Sequence, residues 1–134
     1  MEEVKKQGME SLFCPYEQAI ALKKLGFDEE CFGYYVDVEV ANPFLVINRI
    51  SDTQGGYFTL APLWQQAFGW FREKYKIECY INSYWNENDS SKRTYYTNYN
   101  YGSDIFYTIP KEFETHGEAE LECLKKLIEL CKKT

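Results

Sequence analysis

Apolar and polar positions along the chain change their period several times, and each change marks an element. Residues 34–40 alternate: Tyr34, Val36, Val38 and Val40 fall on one side, with Tyr35, Asp37 and Glu39 on the other, as in a half-buried strand. Asn42 and Pro43 end that run. Residues 44–50 form a second apolar strand, residues 51–56 turn through Gly55 and Gly56, and residues 57–60 are extended again, so a meander is expected. From Pro62 the period becomes helical, with Trp64, Ala67, Phe68, Phe71 and Tyr75 at offsets of zero, three, four, seven and eleven and Trp70 off the stripe. Residues 77–85 alternate once more: Ile77, Cys79, Ile81, Ser83 and Trp85 share one face, and Glu78, Tyr80, Asn82 and Tyr84 the other. Residues 86–91 read as a hairpin loop and residues 93–101 and 105–109 as two further strands, with Pro110 closing the sheet.

Two more helices flank these strands. Cys14 and Pro15 open one that runs to Leu25, with Lys23 and Lys24 at the negative end of its dipole and Gly26 just past its end. Thr115 followed by Glu118 matches a capping box, and Leu121, Leu124, Ile128 and Cys131 follow at offsets of zero, three, seven and ten. The order α-β-β-β-α-β-β-β-α, with strands joined by short turns, predicts an α+β fold: an antiparallel sheet of about four to six strands layered with three helices. Trp64, Phe68 and Phe71 are expected to pack on a sheet face carrying Val36, Val38, Cys79 and Ile81, with Tyr80, Asn82 and Tyr84 on the opposite side.

A length of 134 residues with 45% hydrophobic content fits one domain over residues 1–134, in which residues 1–12 are expected to form a charged, flexible leader, and excludes disorder, collagen and coiled coil. No membrane span or export signal is visible, which together with reduced thiols is consistent with the cytoplasm. The balance of 21 acidic against 15 basic residues repels phosphate, so nucleic acid is not an expected partner, and without a span neither is a membrane. The cysteines, Cys14, Cys31, Cys79, Cys123 and Cys131, are widely spaced, and the only histidine is His116; no metal site is expected.

Candidate chemistry is sparse. Cys14 stands at a helix start, where the dipole can lower a thiol pKa, but a nucleophile needs a base and His116 belongs to another helix. Gly55 and Gly56 have no following lysine and read as a turn rather than a phosphate loop. Glu112, Glu114, Glu118, Glu120 and Glu122 could imitate a row of phosphates, although acids at a helix start already stabilise the dipole. No catalytic set and no cofactor are therefore expected. The twelve tyrosines are the unusual feature, because Tyr80, Tyr84, Tyr95, Tyr96, Tyr99 and Tyr101 crowd two neighbouring strands together with Asn82, Asn98 and Asn100. Such rings either pair across strands or form a binding surface of rigid amphipathic area. As a surface, Tyr80, Asn82, Tyr84, Tyr95, Tyr99 and Tyr101 are the candidates. A protein partner is favoured over a small ligand, because no compact set of convergent charges accompanies the rings. A nucleotide-like ligand would need cations, for which Lys92, Arg93 and Arg49 are the candidates.

Three segments carry a resemblance: residues 21–29 (ALKKLGFDE) with residues 31–35 (CFGYY), residues 61–75 (APLWQQAFGWFREKY), and residues 118–124 (EAELECL). Together they resemble a set of small uncharacterised proteins of Bacteroidetes phages, prophages and mobile elements, which are similar to phage α-β-α sandwich domains. The resemblance implies an accessory phage role and carries over no catalytic residue; the tyrosine-rich residues 94–101 lie outside it. The expected function is a non-enzymatic interaction module in the bacterial cytoplasm, directed at a host protein such as a defence component. The alternative is a protein that sequesters a nucleotide-like signal. The residues leave the oligomeric state open.

Overall fold

The computed structural model describes residues 8–37, 42–49, 58–102 and 104–132. The expected continuation of the first strand at Val38, Glu39 and Val40, the turn at residues 51–56, Tyr57 and the first seven residues of the leader lie outside them. The fold is α+β, with six antiparallel strands in two three-stranded sheets and three longer helices among the described residues; residues 8–10 are helical as well. The strands thus divide between two sheets, each built from neighbours in sequence, where closing the connecting loops costs least. Tertiary contacts group the chain into two compact units, Met1–Ala67 and Phe68–Thr134.

In the first unit, helix α1 (Tyr16–Lys24) precedes strands β1 (Tyr34–Val36), β2 (Phe44–Val46) and β3 (Phe58–Leu60). Gly26, at φ 101°, ends α1 in a Schellman motif: its N–H donates to the Lys23 carbonyl and that of Phe27 to the Leu22 carbonyl, while the Leu22 and Phe27 side chains are both buried. Pro15 occupies the N-cap rather than the first helical turn. The sheet order is β2-β1-β3, so the first strand is central and the expected simple meander does not form. Both faces of β1 are half-buried, the Tyr34 ring packing edge-on to Phe58 at 5.5 Å. Tyr35 and Asp37, assigned by alternation to the polar side, meet α1: the Tyr35 and Tyr16 rings pack edge to face at 5.4 Å, and the Tyr16 hydroxyl donates to Asp37. Tyr35 donates its own hydroxyl to the Cys14 carbonyl at 2.6 Å, so a tyrosine satisfies the interior with its ring and its tip together. Of the leader, residues 8–12 are tied in: the Trp64 indole N–H donates to the Ser11 carbonyl at 2.8 Å and the Trp64 backbone N–H to that of Leu12. Gly33 is a close approach, because a Cβ there would stand 2.9 Å from the Phe13 ring.

Helix α2 (Trp64–Lys74) contributes its first residues to the first unit and the rest to the second. Phe71 is fully buried, and Trp70, off the sequence stripe, is buried too, its ring 5.1 Å from that of Phe71 and 5.6 Å from that of Tyr75. The second sheet is a meander of β4 (Glu78–Trp85), β5 (Arg93–Asn100) and β6 (Tyr107–Phe113). Pro110 does not stop the sheet. It sits inside edge strand β6, where a missing N–H is tolerated, at a register irregularity: one residue of β5, Thr97, faces three of β6, Ile109, Pro110 and Lys111.

Helix α3 (His116–Lys132) lies on this sheet, and its start keeps one half of the expected capping box, the Glu118 N–H donating to Thr115 Oγ1, while the Glu118 carboxylate accepts from the Thr115 hydroxyl where the box would use the backbone N–H, both bonds at 3.1 Å. Its buried stripe is wider than the four positions anticipated, taking in Ala119, Cys123 and Leu127, while Leu121 is only half-buried. The single sheet face expected to unite Val36 and Val38 with Cys79 and Ile81 does not exist: Val36 belongs to the first sheet, Cys79 and Ile81 to the second, and Val38 lies outside the described residues.

Candidate functional site

The tyrosine-rich strands β4 and β5 pair over eight positions, from Glu78 opposite Asn100 to Trp85 opposite Arg93. Alternation then defines two faces. One carries Cys79, Ile81 and Ser83 opposite Tyr99, Thr97 and Tyr95, and α3 covers it: Cys123 meets Cys79 and Thr97, the His116 ring lies edge-on to Tyr95 at 5.8 Å, and the Lys126 ammonium stands 5.9 Å from the Tyr99 ring. The other carries Tyr80, Asn82 and Tyr84 opposite Asn98, Tyr96 and Thr94.

The six candidate surface residues therefore separate. Tyr80, Asn82 and Tyr84 share the outer face, while Tyr95 and Tyr99 lie on the helix side and Tyr101 joins them, its ring 6.0 Å from Tyr99 and 6.1 Å from Tyr107. The correction has a small cause. A hairpin loop at residues 86–91 leaves the pairing one residue short, whereas the Asn86 N–H donates to the Lys92 carbonyl and sets Trp85 against Arg93. One residue of loop exchanges the faces of β5. The outer-face partners missed from sequence, Tyr96 and Asn98, could have been found by centring the loop on Asp89; Glu112 and Lys111 could not, since the β6 irregularity has no clear sequence mark beyond Pro110.

On the outer face the polar tips are hydrogen-bonded. Asn82 donates to Asn98 at 3.1 Å, Tyr80 to Glu78 at 3.0 Å, and Tyr84 to Glu112; the Tyr84 ring lies 6.2 Å from Tyr96, and Tyr80 packs on Phe106 at 5.6 Å. The Glu112 carboxylate raises the Tyr84 phenol above its usual pKa by accepting that bond, and burial, then Glu78, raises that of Tyr80. An open concavity of about 680 Å³ lies at this end, lined by Tyr84, Tyr96, Thr108, Ile109, Pro110, Lys111 and Glu112. Its aromatic walls suit a planar group. Its single cation, Lys111, has its ammonium 5.6 Å from the Phe113 ring, and the Glu112 carboxylate in the same lining would repel a phosphate.

The other candidates are dispersed. Arg49 pairs with Glu30, Arg93 stacks on the Trp85 ring at 4.6 Å, and Lys92 and Arg93 line a second concavity of about 490 Å³ with Asn86, Ser91, Thr94, Glu114 and Thr115. Of the acidic stretch, Glu112 bonds Tyr84, Glu118 caps α3, Glu120 pairs with His116 at 3.4 Å and Glu122 with Lys125 at 3.8 Å, so these carboxylates serve local partners. Burial raises the Glu120 carboxyl against the opposing pull of His116. Among the described residues, no group of three or more histidine, cysteine or acidic side chains is placed to hold a metal, and no helix is long and apolar enough to cross a membrane.

Cys14 is fully buried, beneath the reach of a substrate. Burial pushes the Cys31 thiol up to about 12 and the Cys131 thiol to about 11, while contact with the Cys79 thiol and burial raise Cys123 further. A raised pKa leaves less thiolate at a given pH. At pH 8 the folded chain should carry about a thousandfold less thiolate at Cys31 and about a hundredfold less at Cys131 than ordinary thiols, so iodoacetamide should modify both slowly until urea is added. Peptide mapping of the alkylated sites checks this; rapid labelling of Cys31 without denaturant would contradict it.

Comparison of the chain with protein-family models, with curated proteins and with solved structures finds no match.

Proposed function

We propose that this chain is a non-enzymatic interaction protein of phage or mobile-element origin, acting in the bacterial cytoplasm, whose outer sheet face docks a host protein such as a defence component. The origin and the target follow from the resemblance of three segments; the mode follows from the face. The observation that carries it is the composition of that face, where Tyr80, Asn82, Tyr84, Tyr96 and Asn98 offer rings and amides, and Tyr84 remains 45% exposed with Phe106 at 50%. Tyrosine and asparagine of this kind supply contact area at low entropic cost, as in protein-binding surfaces.

The test is capture from bacterial lysate on the immobilised chain, identification of the bound protein by mass spectrometry, and titration of that protein against variants. Tyr84→Ser with Phe106→Ser should weaken binding about thirtyfold or more, the cost of losing a central aromatic anchor of about 2 kcal/mol. Tyr95→Ser, on the helix side, should leave affinity largely unchanged in a folded chain. Equal losses from both would remove the outer face from the proposal. The aromatic concavity favours one second reading, a nucleotide-like ligand stacked on the Tyr84 or Tyr96 ring, which requires calorimetric heat with free nucleotides that the protein-partner reading does not.

A further inference from the structure

The order β4-β5-β6 leaves the second sheet with two edges, and they are built differently. Edge strand β6 has Pro110 within it, Lys111 next to it and an irregular register, three features that discourage a further strand from adding. Edge strand β4 has none of them. Its eight residues contain no proline and no lysine, pair in unbroken register with β5, and carry one charge, Glu78 at the first position, held by Arg72 at 3.3 Å. No other described strand pairs with its free side. A regular edge of this length presents a row of backbone donors and acceptors to a strand of matching pattern.

The pattern that matches it is its own. Tyr80, Ile81, Asn82, Ser83 and Tyr84 place tyrosine, asparagine and tyrosine symmetrically about Asn82 on one face. We propose that β4 is a dimer edge: two copies of this chain pair β4 with β4, antiparallel about a two-fold axis at Asn82, and join two three-stranded sheets into one of six strands. Tyr80 then faces Tyr84 of the second copy and Asn82 faces Asn82, so each copy extends the tyrosine and asparagine face of the other. Centring the axis on Ile81 instead would set Tyr80 against Asn82 and Glu78 against Tyr84, losing the like pairs. The charges agree with the Asn82 axis. Glu78 faces the neutral Asn86, and the end carrying exposed Lys76 meets the end carrying exposed Glu87 and Asp89 of the other copy, with no like charges directly opposed. The interface is isologous and closed, which limits assembly to two chains. This inference stands whether or not the outer face binds a host protein.

Sedimentation velocity of the full chain over a concentration series tests it. The wild type should show the mass of two chains at high concentration and dissociate on dilution. Asn82→Asp and Asn82→Lys each place two like charges face to face on the axis, so each alone should be a single chain; mixed, they should recover the two-chain mass as a heterodimer. If either variant loses its far-ultraviolet circular dichroism, Ser83→Lys at an exposed edge position should give the single-chain mass instead. A wild type that stays single at every concentration, a dimer that survives all three substitutions, or two folded single-chain Asn82 variants that fail to pair with each other would each overturn the proposal.

Discussion

Phe71→Ala should lower the unfolding free energy by about 3–5 kcal/mol, a large share of the roughly 5–15 kcal/mol that holds a small protein folded. The side chain is fully buried, its ring packed at 5.1 Å against Trp70 and at 5.9 Å against Tyr75, and its carbonyl accepts the Tyr75 N–H. Alanine keeps the backbone bond and removes the ring, so the loss is transfer energy plus the cavity left between two aromatic neighbours that are themselves held in place. Tyr84→Ser is the contrasting case. With its ring 45% exposed and its hydroxyl bonded to an exposed Glu112, its removal should cost about 1 kcal/mol or less. Urea unfolding of the two variants, read as a shift in midpoint at constant slope, gives the comparison. A loss at Tyr84 as large as that at Phe71 would mean that the outer face is covered, and the docking role proposed for it would have to go.

Leu22→Ala should cost about 2–5 kcal/mol, the second-largest effect. Leu22 is fully buried in α1, and its carbonyl accepts the Phe27 N–H in the motif that ends the helix, so the leucine and Phe27 side chains close the turn from inside. Leu12→Ala deletes the same atoms from a side chain that is 57% exposed and should change stability by no more than about 0.5 kcal/mol. The chemistry of the two substitutions is identical, so their difference in the same urea experiment measures burial alone. Similar midpoints for both would contradict the placement of Leu22 in the core.

Much of this was legible in the chain itself, and for identifiable reasons. Helix ends are local events: Gly26 can take the left-handed conformation that its turn needs, and Thr115 with Glu118 supplies a cap within four consecutive residues. The period of residues 64–75 marked a buried helical face because Ala67 and Phe68 each lie about one turn from Phe71 whatever they pack on. The outer placement shared by Tyr80, Asn82 and Tyr84 also followed from alternation within a single strand. Trp70 was less legible, since a ring of that size reaches sideways to Phe71 and Tyr75 from a position outside the stripe.

By itself, then, the sequence determined the α+β class, the existence and type of the elements, the helix caps and the division of each strand into two alternating faces, all of which depend on neighbours within a few residues. The tertiary structure alone decided which face of β5 helix α3 would cover, the central place of β1, the passage of β6 through Pro110 and the partition of six described strands between two sheets. Alternation distinguishes two faces but does not say which is inside when both carry tyrosine, whose ring suits the core and whose hydroxyl suits water. Tyr35 reaches the Cys14 carbonyl, and Tyr95 and Tyr99 lie towards α3, because contacts distant in sequence and the hairpin register overrode the faces that local pattern had assigned.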